Sequence, residues 1–67
     1  MKTEYTFKKG DLVQRILKNH NRISIGETAV VLEDINTNTD FKGLEIKIDK
    51  SGYVGSFHVK YFEVIKS

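Results

Sequence analysis

Residues 44 to 49, Leu-Glu-Ile-Lys-Ile-Asp, place three aliphatic side chains on one parity and three charged ones on the other. A period of two is that of an extended chain with one face buried and the other in water, so this stretch predicts a half-buried strand. Helix has no comparable signal. No segment keeps an apolar face at i, i+3, i+4 and i+7 over three turns, and β-branched residues recur along the whole length.

Four further strands follow from apolar runs bounded by turn formers. Lys8-Lys9-Gly10-Asp11 is a turn that feeds a first strand, Leu12 to Leu17. Val13 faces inward there, but Ile16 and Leu17 cannot both keep its parity, which predicts a bend or bulge near Arg15. A second strand, Glu27 to Ile35, is centred on Val30, Val31 and Leu32, and the small Ala29 suits close approach by a neighbour. Tyr53 to Phe57 forms a fourth strand after the Lys50-Ser51-Gly52 turn, with Gly55 marking a bulge or a close approach. Phe62 to Ile65 is the fifth, with Phe62 and Val64 facing the core, and His58 to Tyr61 supplies one helical turn before it. Two loops remain, the polar stretch from Lys18 to Gly26 and the turn formers of residues 36–43. The polar loop is expected to run over the surface. Five short strands on so short a chain predict an all-β fold, a bent sheet closed into a small barrel over residues 7–65, with residues 1–6 as a lead-in.

The stretches FKKGDLVQRI, IGETAVVLEDI, GLEIKIDKSGYVG and FEVI, in that order, resemble the small SH3-like barrels. Similar spacing occurs in KOW-type modules, in the SH3-like accessory subunit of photosystem I, in the plasmid-encoded type II dihydrofolate reductase and in many short phage and prophage proteins. The pattern is nearest to the phage group, where a Gly-x-His segment precedes an Asn-Phe-Glu-Leu close, as Gly55, His58, Phe62 and Glu63 do more loosely here. The resemblance implies a five-stranded SH3-like barrel with a 3-10 turn before its last strand. It also implies a phage or prophage origin, and action in the host cytoplasm. Folate chemistry does not carry over, since the reductase's Val-Gln-Ile-Tyr segment is missing. Ala29 stands where a KOW module usually has Gly. The Trp and Pro of peptide-binding SH3 grooves are absent from the whole chain.

Composition narrows the functional classes. With 67 residues and no cysteine, the chain has room for one small core and no disulfides or thiolate metal sites. Eleven basic residues against nine acidic ones give a formal charge of +2, with the signs interleaved, which is a weak polyelectrolyte signal. No apolar run approaches the roughly 20 residues of a membrane helix, so a soluble, cytoplasmic protein with no membrane partner is expected.

Catalysis and cofactors are not expected either. His20 and His58 are the only histidines, and no HxxxH, HxH or HxD spacing pairs them as metal ligands. Ser56 shares a strand face with His58, but no third group is placed to orient the base. Gly52-Tyr53-Val54-Gly55 lacks the Lys-Ser/Thr and the helix start of a phosphate loop. The expected surface is instead a binding one, formed by Arg15, Lys18, His20, Arg22, Tyr53, His58, Lys60 and Tyr61. Mixed charge favours a protein partner. A nucleic acid held by Arg15, Lys18, Arg22 and Lys60 is the second reading, and a homo-oligomer formed through sheet edges or through Phe41 and Tyr5 is the third.

Overall fold

Strict alternation makes the centre of the sheet. In the computed structural model, which describes residues 4–66, Leu44, Ile46 and Ile48 are fully buried while Glu45 and Lys47 between them face solvent. Each such burial contributes about 1.5–3 kcal/mol, a large fraction of the stability available to a domain of this size.

The strands are β1 (Tyr5–Phe7), β2 (Leu12–Arg15), β3 (Thr28–Val31), β4 (Ile35–Thr37), β5 (Gly43–Ile48), β6 (Val54–His58) and β7 (Phe62–Lys66). A single 3-10 turn, Val59–Tyr61, joins β6 to β7 where one helical turn was expected. The larger sheet is antiparallel in the order β6-β5-β3-β2-β7, and β1 pairs with β4 in a separate two-stranded sheet. The fold is therefore all-β, as the pattern predicts, but the described residues form seven strands in two sheets. The larger sheet does not close on itself, and β6 and β7 are its open edges.

The two additional strands are short. β1 begins inside the expected lead-in, and β4 lies partly in the run of turn formers. Three residues offer no period to read, so neither strand is visible until the other supplies its pairing, Tyr5 with Thr37 and Phe7 with Ile35. Residues 1–3 of the lead-in lie outside the described residues.

The last strand, β7, pairs with β2. The bulge in that pairing is not near Arg15: Leu12 lies opposite Lys66 and Val13 opposite Val64, so Ile65 is its extra residue, whereas the chain does bend just past Arg15, at Leu17 and Lys18. Val64 occupies the core parity but stays 39% exposed because its strand is an edge, whereas Phe62 is buried as expected. β2 stops at Arg15, and Ile16 and Leu17 are both exposed.

Ala29 is fully buried, opposite Val13 on one side and Ile48 on the other. Gly55 carries no bulge, since its register with Ile46 is regular. A Cβ there would lie 2.6 Å from the Tyr53 ring, so the glycine serves a close approach. Gly52, at φ 77°, gives its N–H to the Ile48 carbonyl at 2.7 Å and turns β5 back toward β6.

The polar loop is only in part a surface excursion. Ile23 leaves it to join the core at 1% exposure. Around it the loop is bound to itself: His20 N–H donates to the Ile23 carbonyl, Arg22 N–H to His20 Nδ1, and Ile25 N–H to Asn19 Oδ1.

Candidate functional site

The parity that sends Val13 into the core sends Arg15 after it. Arg15 is 3% exposed, so the expectation of a surface cation fails at this position. Its guanidinium carbon lies 4.6 Å from the Tyr61 ring centroid, 5.4 Å from that of Phe62 and 5.9 Å from that of Phe57. These π-faces attract a cation. Its Nε–H donates to the carbonyls of Leu17 at 3.1 Å and Lys18 at 2.6 Å.

Nη1 is buried and has no hydrogen-bond partner among the described residues. An unmade bond at a buried donor costs about 1–3 kcal/mol, and more when the group is charged. Burial pushes the Arg15 pKa down from its ordinary value, against the opposing pull of Tyr61, and a guanidinium remains charged throughout the working pH range.

Arg15, His20, Ser56, Phe57, His58 and Tyr61 line an open pocket of about 220 Å³. Four of these six were expected at a binding surface. His20 reaches the pocket from the polar loop and stands edge-on to Phe57, with ring centroids 5.1 Å apart. His58, at the end of β6, stacks on Tyr61 at 5.8 Å and meets the exposed Phe41 edge-on at 5.2 Å. Phe41 is 64% exposed and does not fold back onto the core.

The remaining expected residues lie outside the pocket. Lys60 holds its ammonium 5.2 Å from the Phe41 ring centroid and 5.5 Å from that of Tyr61. Arg22 covers Tyr53 at 4.4 Å. Lys18 acts through its backbone, taking a φ of 54° as its carbonyl accepts the Arg15 bond. Phe57 and Ser56 were missed. Phe57 had a legible signal, since it shares the inward parity of Gly55, whereas Ser56 was noticed only as a neighbour of His58.

The pocket borders a free strand edge. Ile48 N–H donates to the Tyr53 carbonyl and Val59 N–H to the Lys42 carbonyl, and the register between them is unbroken from Gly43–His58 to Lys47–Val54. Hydrogen-bonded positions alternate in an antiparallel ladder. Val54 and Ser56 therefore turn their backbone N–H and C=O groups, and His58 its N–H, away from β5, toward the side where β6 has no neighbour, while the His58 carbonyl caps the 3-10 turn that follows.

None of the pocket's lining side chains is acidic, though Glu45 sits across the ladder from Ser56. Glu33, Asp34 and Glu45, with Lys42, line a second pocket. Among the described residues no three His, Asp or Glu side chains gather as metal ligands, and no helix is long and apolar enough to cross a membrane. Compared with protein-family models, with curated proteins and with solved structures, the chain matches none of them.

Proposed function

We infer that this chain is a non-enzymatic interaction module that docks on a protein partner through the Arg15 pocket and the adjoining edge of β6. One observation carries the reading. An unpaired strand edge, with the outward backbone groups of Val54, Ser56 and His58, runs beside a pocket lined by aromatic and basic side chains. An extended peptide gains affinity by adding a strand to such an edge and specificity from the pocket beside it.

The architecture is that of an SH3-like small barrel with its seam left open. The pairing of β7 with β2 and the 3-10 turn before the last strand support this assignment. The resemblance to short phage and prophage proteins supports a phage or prophage origin, the host cytoplasm as the place of action, and a host or phage protein as the partner.

A nucleic-acid module is the second reading, favoured by Phe41, which is exposed beside His58 and Lys60. Two features weigh against it. Arg22 and Lys60 already lie over the aromatic rings that bases would stack on, and Glu45 sits opposite Ser56 across the β5–β6 pair.

Selection of peptides from a random library on the intact chain, followed by amide-shift mapping, tests the docking reading. Selected peptides should shift the Val54, Ser56 and His58 amides and remain bound as salt rises. Recovery of no peptide, together with oligonucleotide binding that falls steeply with salt, overturns it.

A further inference from the structure

Among the described residues, Arg15 Nη1 is the one buried side-chain nitrogen or oxygen left without a hydrogen-bond partner. It belongs to a side chain 3% exposed that nonetheless lines the pocket at the β6 edge. Native proteins rarely leave a buried charged donor unpaired, so a donor of this kind invites an acceptor. An anion matches it best, because the donor carries a full charge and no acidic side chain lines the pocket.

We propose that the pocket receives a single carboxylate of an extended peptide, bound to Arg15 Nη1, while the neighbouring residues of that peptide pair with the outward N–H and C=O of Ser56 and the N–H of His58. This deepens the docking reading above and rests on it. The carboxylate comes from an aspartate or glutamate side chain or from a chain terminus, and the same chemistry serves both.

Three observations favour a carboxylate over a phosphate. Nε is already committed to the Leu17 and Lys18 carbonyls, which leaves a narrow set of donors suited to a small monoanion. The walls are largely aromatic, from Phe57 and Tyr61, and desolvating a dianion against them costs more. Glu45, on the outer face opposite Ser56, repels a polyanion laid along the edge more than it repels one fixed charge. The guest oxygen reaches the enclosed Nη1 by displacing a side chain at the pocket mouth, where His20, Ser56 and His58 are exposed. For His20 this means breaking the bond that its Nδ1 accepts from Arg22 N–H and the edge-on contact with Phe57.

The test uses the full chain and four probes: a short valine–threonine peptide with a free C-terminal carboxylate, the same peptide as its C-terminal amide, that amide carrying one internal glutamate, and inorganic phosphate. Titrations are followed by the amide shifts of Ser56 and His58 and by the Nε–H resonance of Arg15. The carboxylate peptide, the glutamate amide or both should bind at these resonances, about ten- to a hundredfold more tightly than the plain amide. Which of the two binds identifies the source of the carboxylate.

Arg15→Lys, with unchanged spectral dispersion, should weaken the acidic peptides by a similar factor and leave the plain amide unaffected. Ser56→Pro removes an outward N–H that belongs to no ladder bond, so it should abolish peptide binding while the chain stays folded. If the acidic and amide peptides bind equally well at β6, the carboxylate anchor is wrong and docking survives. If no peptide binds, whether or not phosphate shifts Arg15, both readings fall.

Discussion

The Nε–H of Arg15 donates to the carbonyl of Lys18 at 2.6 Å, and Lys18 holds a φ of 54° at that bond. A residue with a Cβ is disfavoured by about 1–2 kcal/mol in this left-handed region, so the chain carries local strain beside its buried cation. Lys18→Gly keeps the carbonyl and relieves the Cβ. It should leave peptide binding unchanged and raise stability by up to about 1 kcal/mol, the gain being limited by the greater freedom of glycine in the unfolded chain. Urea melts check the stability, and a loss of binding would show that the ammonium itself contacts the partner.

Arg15 combines an unpaired donor with three aromatic neighbours, a poor arrangement for stability alone. Arg15→Met retains an unbranched stem among those rings and removes the orphaned charge. We expect stability within about 1 kcal/mol of the parent, because an apolar side chain commonly replaces buried charge without loss, and we expect acidic peptides to bind no more tightly than the plain amide. A loss of about 3–5 kcal/mol in denaturant unfolding would assign Arg15 to the scaffold.

Ile23 belongs to a loop by sequence and to the core by packing. Ile23→Ala should therefore cost about 2–5 kcal/mol, the range for truncating a buried aliphatic, and should loosen the His20 contact with Phe57. Thermal unfolding measures the first effect and the Phe57 ring resonances the second. A change below about 0.5 kcal/mol is that of a surface site and would contradict the packing.

Tyr5 gives its O–H to Asp40 Oδ1 at 2.7 Å. This bond, with burial and the carboxylate's charge adding to it, raises the tyrosine pKa above its ordinary 10.0. Because the folded-state pKa is the higher one, the contribution to stability is complete below pH 10 and disappears as pH rises through the folded value. Asp40→Ala should bring the Tyr5 titration, followed by its ring carbon shifts, down toward 10. An unchanged midpoint would mean that the bond does not persist in solution.

Parity was the part of the fold most readily legible in the sequence. Leu44, Ile46 and Ile48 lie inward because an extended chain permits nothing else, and Phe62 follows the same rule. The rule also reaches Arg15, two residues after Val13, but its charge argues for the surface, and at this position strand geometry prevails over hydropathy. Ile23 left no trace, since one apolar residue in a polar loop has no period, and β1 and β4 are too short to alternate. At the site, the residue types of His20, His58 and Tyr61 pointed to the correct end of the molecule. Lys18 was chosen for an ammonium when its carbonyl is what Arg15 uses, and no reading of side-chain types can reveal a backbone role.

The two unpaired margins of the five-stranded sheet, β6 and β7, have a consequence for the free chain at high concentration. One copy laying its β7 against another's β6 makes a head-to-tail join that leaves a fresh margin at each end, so growth need not stop and filaments can result. A guest seated on β6 terminates that series. Occupancy would then act as a capping event, and the proportion of chain lost to fibrils should fall as the guest saturates it.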